Sequence, residues 1–71
     1  MLDLAERIVM AQRHVETGQG VIVRQRNIVA RKHGRGVDAS GAEELLARFE
    51  QCQAIFENNL ERLLLEREPH R

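Results

Sequence analysis

The chain reads as an all-α protein: an antiparallel two-helix hairpin, with helices over about residues 3–33 and 41–67. Three observations lead there. Apolar residues recur at alternating spacings of four and three on both sides of a glycine-containing turn, which is the period of a helix buried along one stripe. Both stretches carry residues that start and stop helices. The charges also divide, since residues 1–36 hold seven basic side chains against three acids and residues 37–71 hold four against eight. The zero net charge therefore hides two complementary halves.

Helix one opens at Asp3, with Glu6 three residues on to complete a capping box. Leu4, Ile8, Ala11, Val15, Gly18, Ile22, Gln25 and Val29 form its seam, widened by Val21 and Ile28. Arg31, Lys32 and His33 fall in the last turn, where cations favour the negative end of the helix dipole. Gly34 is read as the residue that ends the helix. The weak stretch is Thr17-Gly18-Gln19-Gly20. Two interior glycines cost a helix roughly 2 kcal/mol. The seam nevertheless keeps its phase from Val15 to Ile22, so a continuous helix is preferred. The alternative is three helices, 3–16, 21–33 and 41–67.

The turn covers about Gly34 to Ala39. Ser40-Gly41-Ala42-Glu43 has the spacing of a second capping box. Leu45, Phe49, Cys52, Phe56, Asn59 and Leu63 are read as the seam of helix two, widened by Leu46, Leu60 and Leu64. Pro69 stops the helix, because the residue before a proline is pushed out of the helical region. Antiparallel pairing of the seams sets Gln25 against Phe49, Ile22 against Cys52, Gly18 against Phe56 and Ala11 against Leu63, give or take one helical step.

At 71 residues the chain has room for one domain and a small core. Such chains are reinforced by disulfides, metal or oligomerisation. Cys52 is the only cysteine, so no intrachain disulfide can form, and His14, His33 and His70 show no metal-site spacing. Oligomerisation remains. A two-helix hairpin leaves part of a stripe this wide exposed, and the simplest way to cover it is a two-fold homodimer forming a four-helix bundle. The longest apolar run is Ile8-Val9-Met10-Ala11, against the 20 or so residues of a spanning helix. No signal-peptide pattern is visible at Met1 and beyond, so a cytoplasmic protein is expected.

The chemical candidates are few. Cys52, on the expected seam with no histidine beside it, reads as a small buried hydrophobe rather than a nucleophile. His14 can join a polar cluster with Asn59 and Glu57 or Glu61. Gln25 either reaches solvent or a backbone carbonyl, or fixes the register of the pair. Arg24, Arg26, Arg31, Lys32 and Arg35 form a basic stretch with no acid from Gly18 to Gly36. It is either an anion-binding surface for nucleic acid or another polyanion, or a solvated face paired with Glu43, Glu44 and Glu50 of helix two. The second reading is preferred, since no recognition motif, phosphate loop or aromatic platform accompanies the arginines. No catalytic, cofactor-binding or metal-binding set emerges, and neither an enzyme nor a small-molecule binder is expected.

His14-Val15, Gly18, Ile22, Arg24-Gln25-Arg26 and Val29, followed by Leu45-Leu46, Phe49-Glu50 and Arg62-Leu63, resemble the pattern of short, mostly alphaproteobacterial helical-hairpin proteins of unknown function. The resemblance spans roughly residues 14–64, and Gly20 and Cys52 depart from it at positions where polar residues are expected. It implies the hairpin and no activity. The expected interface and core are therefore Ile8, Val15, Gly18, Ile22, Val29, Leu45, Phe49, Phe56, Leu60 and Leu63. The expected function is structural or protein-interactive, through self-association or a partner helix, with polyanion binding as the alternative.

Overall fold

The computed structural model describes residues 1–68 and consists of two α-helices, α1 (Leu4–Gly34) and α2 (Ser40–Arg67), packed antiparallel with no strand among those residues. The hairpin is a rod of 57 × 19 × 17 Å. Its radius of gyration of 16.4 Å exceeds the roughly 11 Å of a compact globule of this length. A rod this thin has no interior, only a seam. Among the described residues no side chain is fully buried.

α1 begins as its sequence requires. The Asp3 carboxylate accepts the Glu6 backbone N–H at 2.8 Å, and Glu6 Oε1 reaches back to the Asp3 N–H at 3.5 Å. The helix continues unbroken through Gly18 and Gly20. Buried Ala11 and Ile22 flank this stretch, so packing on either side offsets the glycines' poor propensity.

The end of α1 corrects the reading of Gly34. That residue is still helical, and the left-handed position belongs to Gly36, at φ 69°. The Gly36 N–H donates to the His33 carbonyl at 3.1 Å and the Val37 N–H to the Lys32 carbonyl at 3.0 Å. These two bonds are the Schellman motif, which satisfies the last carbonyls of the helix. Gly34-Arg35-Gly36 is thus explained by helix termination.

The start of α2 is also corrected. The Ser40–Glu43 box does not form, because Ser40 lies inside the helix and Ala39 is its N-terminal boundary. Asp38 acts instead. Its carboxylate accepts the Ser40 N–H at 3.0 Å and the Ser40 hydroxyl at 3.2 Å. These two bonds, with Lys32 adding a smaller share, hold the Asp38 carboxyl below its ordinary pKa. At the far end Glu68 is extended, at φ −66° and ψ 137°, the conformation demanded before a proline. Pro69 itself lies outside the described residues.

The seam of α1 is as expected, with Ile8, Ala11, Ile22 and Gln25 buried. The seam of α2 is rotated from the expected one. Cys52 and Leu45 are exposed, Leu45 at 41%, while Gln53 is buried and Ala42 and Leu46 are half-buried. The register stays within one helical step of the expected one. Ala11 packs with Leu63 as expected, joined by Ile8, while Gly18 meets Gln53 most closely and shares a depression with Phe56. Polarity misled the expectation: Cys52 is more apolar than Gln53, but only glutamine can fill the gap over Gly18 and bond the opposite backbone.

Candidate functional site

Two kinds of packing hold the hairpin. At the end carrying the termini, Ile8 (3% exposed), Ala11 (3%) and Leu63 form an apolar cluster with Leu4, Leu60 and Leu64 against it. Further along, beside buried Ile22, two buried contacts are polar. Gln53 (6% exposed) donates from Nε2 to the Val15 carbonyl at 2.9 Å, and Gln25 (7%) donates to the Ala42 carbonyl at 3.0 Å. Each helix sends one amide to the other's backbone. Gln53 Oε1 is buried against Gly18 with no hydrogen-bond partner, and a Cβ at Gly18 would overlap it. The absent side chain of Gly18 is therefore a socket for the Gln53 amide. Neither glutamine is free for chemistry on a substrate.

Closing the seam leaves two long faces, and helical spacing of three, four and seven assigns residues to each. One face has a groove along its centre. Its middle is a depression of about 270 Å³ lined by His14, Thr17, Gly18, Val21, Phe49, Cys52, Gln53 and Phe56. The His14 and Phe56 rings lie 5.4 Å apart, tilted by 34°, within the range of favourable ring contacts. His14 thus meets an aromatic ring rather than the expected polar cluster with Asn59. Val21, Phe49 and Phe56 are half-buried and Leu45 is exposed. Toward the turn a separate depression is lined by Ile28, Arg31, Lys32 and Arg35, and toward the termini another by Arg7, Asn59 and Arg62.

The opposite face differs in charge. It carries Glu16, Glu43, Glu50, Glu57 and Glu61, along with Val23 and the small residues Ala47 and Ala54. Two cross-helix contacts lie here, an Arg26–Glu50 ion pair at 3.5 Å and a contact of His33 Nε2 with Glu43 Oε1 at 3.2 Å. These are the inter-helix pairings anticipated for the basic stretch, but they engage only one of its arginines. Arg24, Arg31 and Arg35 project on the groove face with Arg7, Arg48 and Arg62. Asp3 and Glu66 lie there with them, Glu66 pairing with Arg7 at 3.9 Å, and Glu44 stands one turn before Arg48. All six arginines are exposed.

The charges therefore separate by face, a division that counting by halves of the chain conceals. Its sequence signal is a seven-residue recurrence: Arg24 and Arg31 on one side, and Glu43, Glu50 and Glu57 on the other. That signal can be read only once the phase of the α2 seam is known. Gln53 was missed for the same reason, although Ala42, Leu46, Phe49, Gln53, Phe56, Leu60 and Leu63 keep an unbroken four-three spacing.

The other expected core residues fall as follows. Ile8, Ile22 and Leu63 are buried, and Val15, Gly18, Val29, Phe49, Phe56 and Leu60 are half-buried. Among the described residues no group of three histidine, cysteine or acidic side chains is placed to hold a metal ion. No described helix is long and apolar enough to cross a membrane. No family model, curated protein or solved structure matches the chain.

Proposed function

We propose that this protein acts by contact with other helices, and that its groove face is covered in the working state. The observation that carries the reading is the apolar floor left open when the hairpin closes, where Val21, Phe49 and Phe56 stay only half-buried around a depression and Leu45 beyond it is exposed. A chain with no fully buried side chain among the described residues gains stability from any partner that dries this floor. Two occupants answer that need. One is a second copy, giving a homodimeric four-helix bundle; the other is a helix of a different protein. Neither requires a cofactor or a catalytic group.

Sedimentation equilibrium at low and moderate salt tests the reading, alongside uptake of an environment-sensitive apolar dye. Concentration-dependent association, or a monomer that takes up the dye at the groove, is the expected result. A monodisperse monomer that takes up no dye would overturn it.

A second reading rests on the six exposed arginines of the same face, a surface for nucleic acid or another polyanion. Binding of double-stranded DNA, with affinity falling steeply as salt rises, is its signature. The apolar floor between the arginine rims favours a protein helix, because a phosphate backbone laid there would leave that floor unsatisfied.

A further inference from the structure

We infer that the groove is built to receive an acidic amphipathic helix from another protein, rather than a second copy of itself. This rests on the reading of the groove as a helix-docking surface, and charge then selects the occupant.

A two-fold dimer sets a surface against itself. Here that would bring the rim carrying Arg24, Arg31, Arg48 and Arg62 in one copy toward the same rim of the other, with Asp3, Glu66 and Glu44, one turn before Arg48, to offset them. Like charges juxtaposed across an interface oppose association. The acidic face of a second copy has the right sign but the wrong shape. Its residues between the glutamates include Ala47 and Ala54, and Glu43 and Glu50 are already paired with His33 and Arg26. Its exposed apolar side chains there, Val23, Ala47 and Ala54, are none larger than valine, against a depression of about 270 Å³. Stacking one face on the other would also be a head-to-tail contact, which closes only as a ring and otherwise propagates.

A separate helix meets both demands. Apolar anchors one turn and two turns apart would enter between Val21, Phe49 and Phe56, in the helix-in-groove mode. Acidic residues on both flanks of those anchors would meet Arg24 and Arg31 on the α1 rim, and Arg48 and Arg62 on the α2 rim. Arginine suits this role, since its planar fork pairs with carboxylates in a bidentate way.

The chain contains its own reporter. Cys52 is the only thiol and is exposed on the groove lining, so its alkylation rate reads whether the groove is covered. The probes are two synthetic helical peptides with the same leucine seam, one flanked by glutamates and the other by lysines. At low salt the glutamate peptide should slow alkylation of the full chain at least tenfold, roughly 1.4 kcal/mol of protection. The effect should shrink as salt rises, and the lysine peptide should leave the rate unchanged. The exposed variants Arg24→Glu, Arg31→Glu and Arg48→Glu, combined, should transfer the preference to the lysine peptide.

Equal protection by both peptides would overturn the inference while leaving a helix-binding groove in place. Protection by the chain's own concentration, with a closed dimer in sedimentation, would do the same in favour of self-pairing. Double-stranded DNA protecting as well as the glutamate peptide would replace a helix partner with a polyanion. No protection by any of these, from a monomeric chain that takes up no apolar dye, would remove both the inference and the reading beneath it.

Discussion

The end of the hairpin that carries the termini and the stretch that carries the glutamines join the same two helices by different means. Near the termini Ile8, Ala11 and Leu63 bury hydrocarbon against hydrocarbon. Further along, Gln53 and Gln25 reach across to the Val15 and Ala42 carbonyls. The first kind of contact is non-directional and scales with area. It stabilises the pair and tolerates sliding. The second demands one donor opposite one acceptor, and at Gly18 one missing side chain as well. Its net contribution to stability is modest, while its contribution to register is large. One end supplies adhesion and the other supplies alignment, much as a buried polar residue sets the register of a coiled coil.

The sharpest way to break the comparison is at the apolar end. Leu63→Ala removes the α2 side chain around which Ile8 and Ala11 pack. Such truncations cost about 2–5 kcal/mol, a large share of the stability of so small a chain. The expected outcome is loss of cooperative thermal unfolding by circular dichroism. A melting temperature unchanged within a degree would mean that the terminal cluster is not where the helices are held.

The glutamine stretch is tested by a cycle rather than by a single change. Gly18→Ala adds a methyl group that overlaps Gln53 Oε1. The amide must swing away and release the Val15 carbonyl, at about 1–3 kcal/mol, against roughly 1 kcal/mol gained in helix propensity. A net loss is expected. In a Gln53→Ala background the obstacle is gone, and the same substitution should stabilise by about 1 kcal/mol. The change of sign is the test, read from denaturant melts of the four proteins. Additive effects would mean that the socket does not couple the two residues.

That socket also marks the limit of what the sequence allows one to read. The Asp3–Glu6 box and the α1 seam were legible because each depends only on residues a turn apart. Three positions of the expected α2 seam move by one residue, Leu45 to Leu46, Cys52 to Gln53 and Asn59 to Leu60, and hydrophobicity misleads at Cys52, which it ranks above Gln53. The deciding contacts were with the backbone of the other helix, and no pattern within α2 encodes them. Gly34 and Gly36 were equally eligible to end α1, and only the paired bonds to Lys32 and His33 select Gly36. The arginine groove was present as a recurrence, but assigning it to a face required the corrected phase.

Gly20 sharpens the comparison from the other side. It lies two residues from Gly18 in the same helix, and a Cβ there meets nothing within 4 Å. Gly20→Ala should therefore raise stability by up to about 1 kcal/mol, visible as a higher melting temperature. The opposite signs at Gly18 and Gly20 would separate a glycine kept for contact from one that the hairpin does not need. A loss at Gly20 comparable to that at Gly18 would point instead to a requirement for glycine flexibility across the whole stretch.

The smallest effect concerns the turn that lets the two regions face each other. The Asp38 carboxyl is held below its ordinary pKa, first by the Ser40 backbone N–H, then by the Ser40 hydroxyl and by Lys32. A depressed folded pKa means that the unfolded chain takes up the proton first. The stabilisation is thus complete above the unfolded value of about 3.9 and is lost as pH falls through the lower folded value. Asp38→Asn keeps an acceptor for the Ser40 N–H but carries no charge to lose. The variant should therefore melt slightly below the parent at neutral pH, and the gap should close as pH drops below 4 or so. A gap that stays constant across that range would assign the role of Asp38 to its shape alone, and the charge on the carboxylate would then contribute nothing to starting α2.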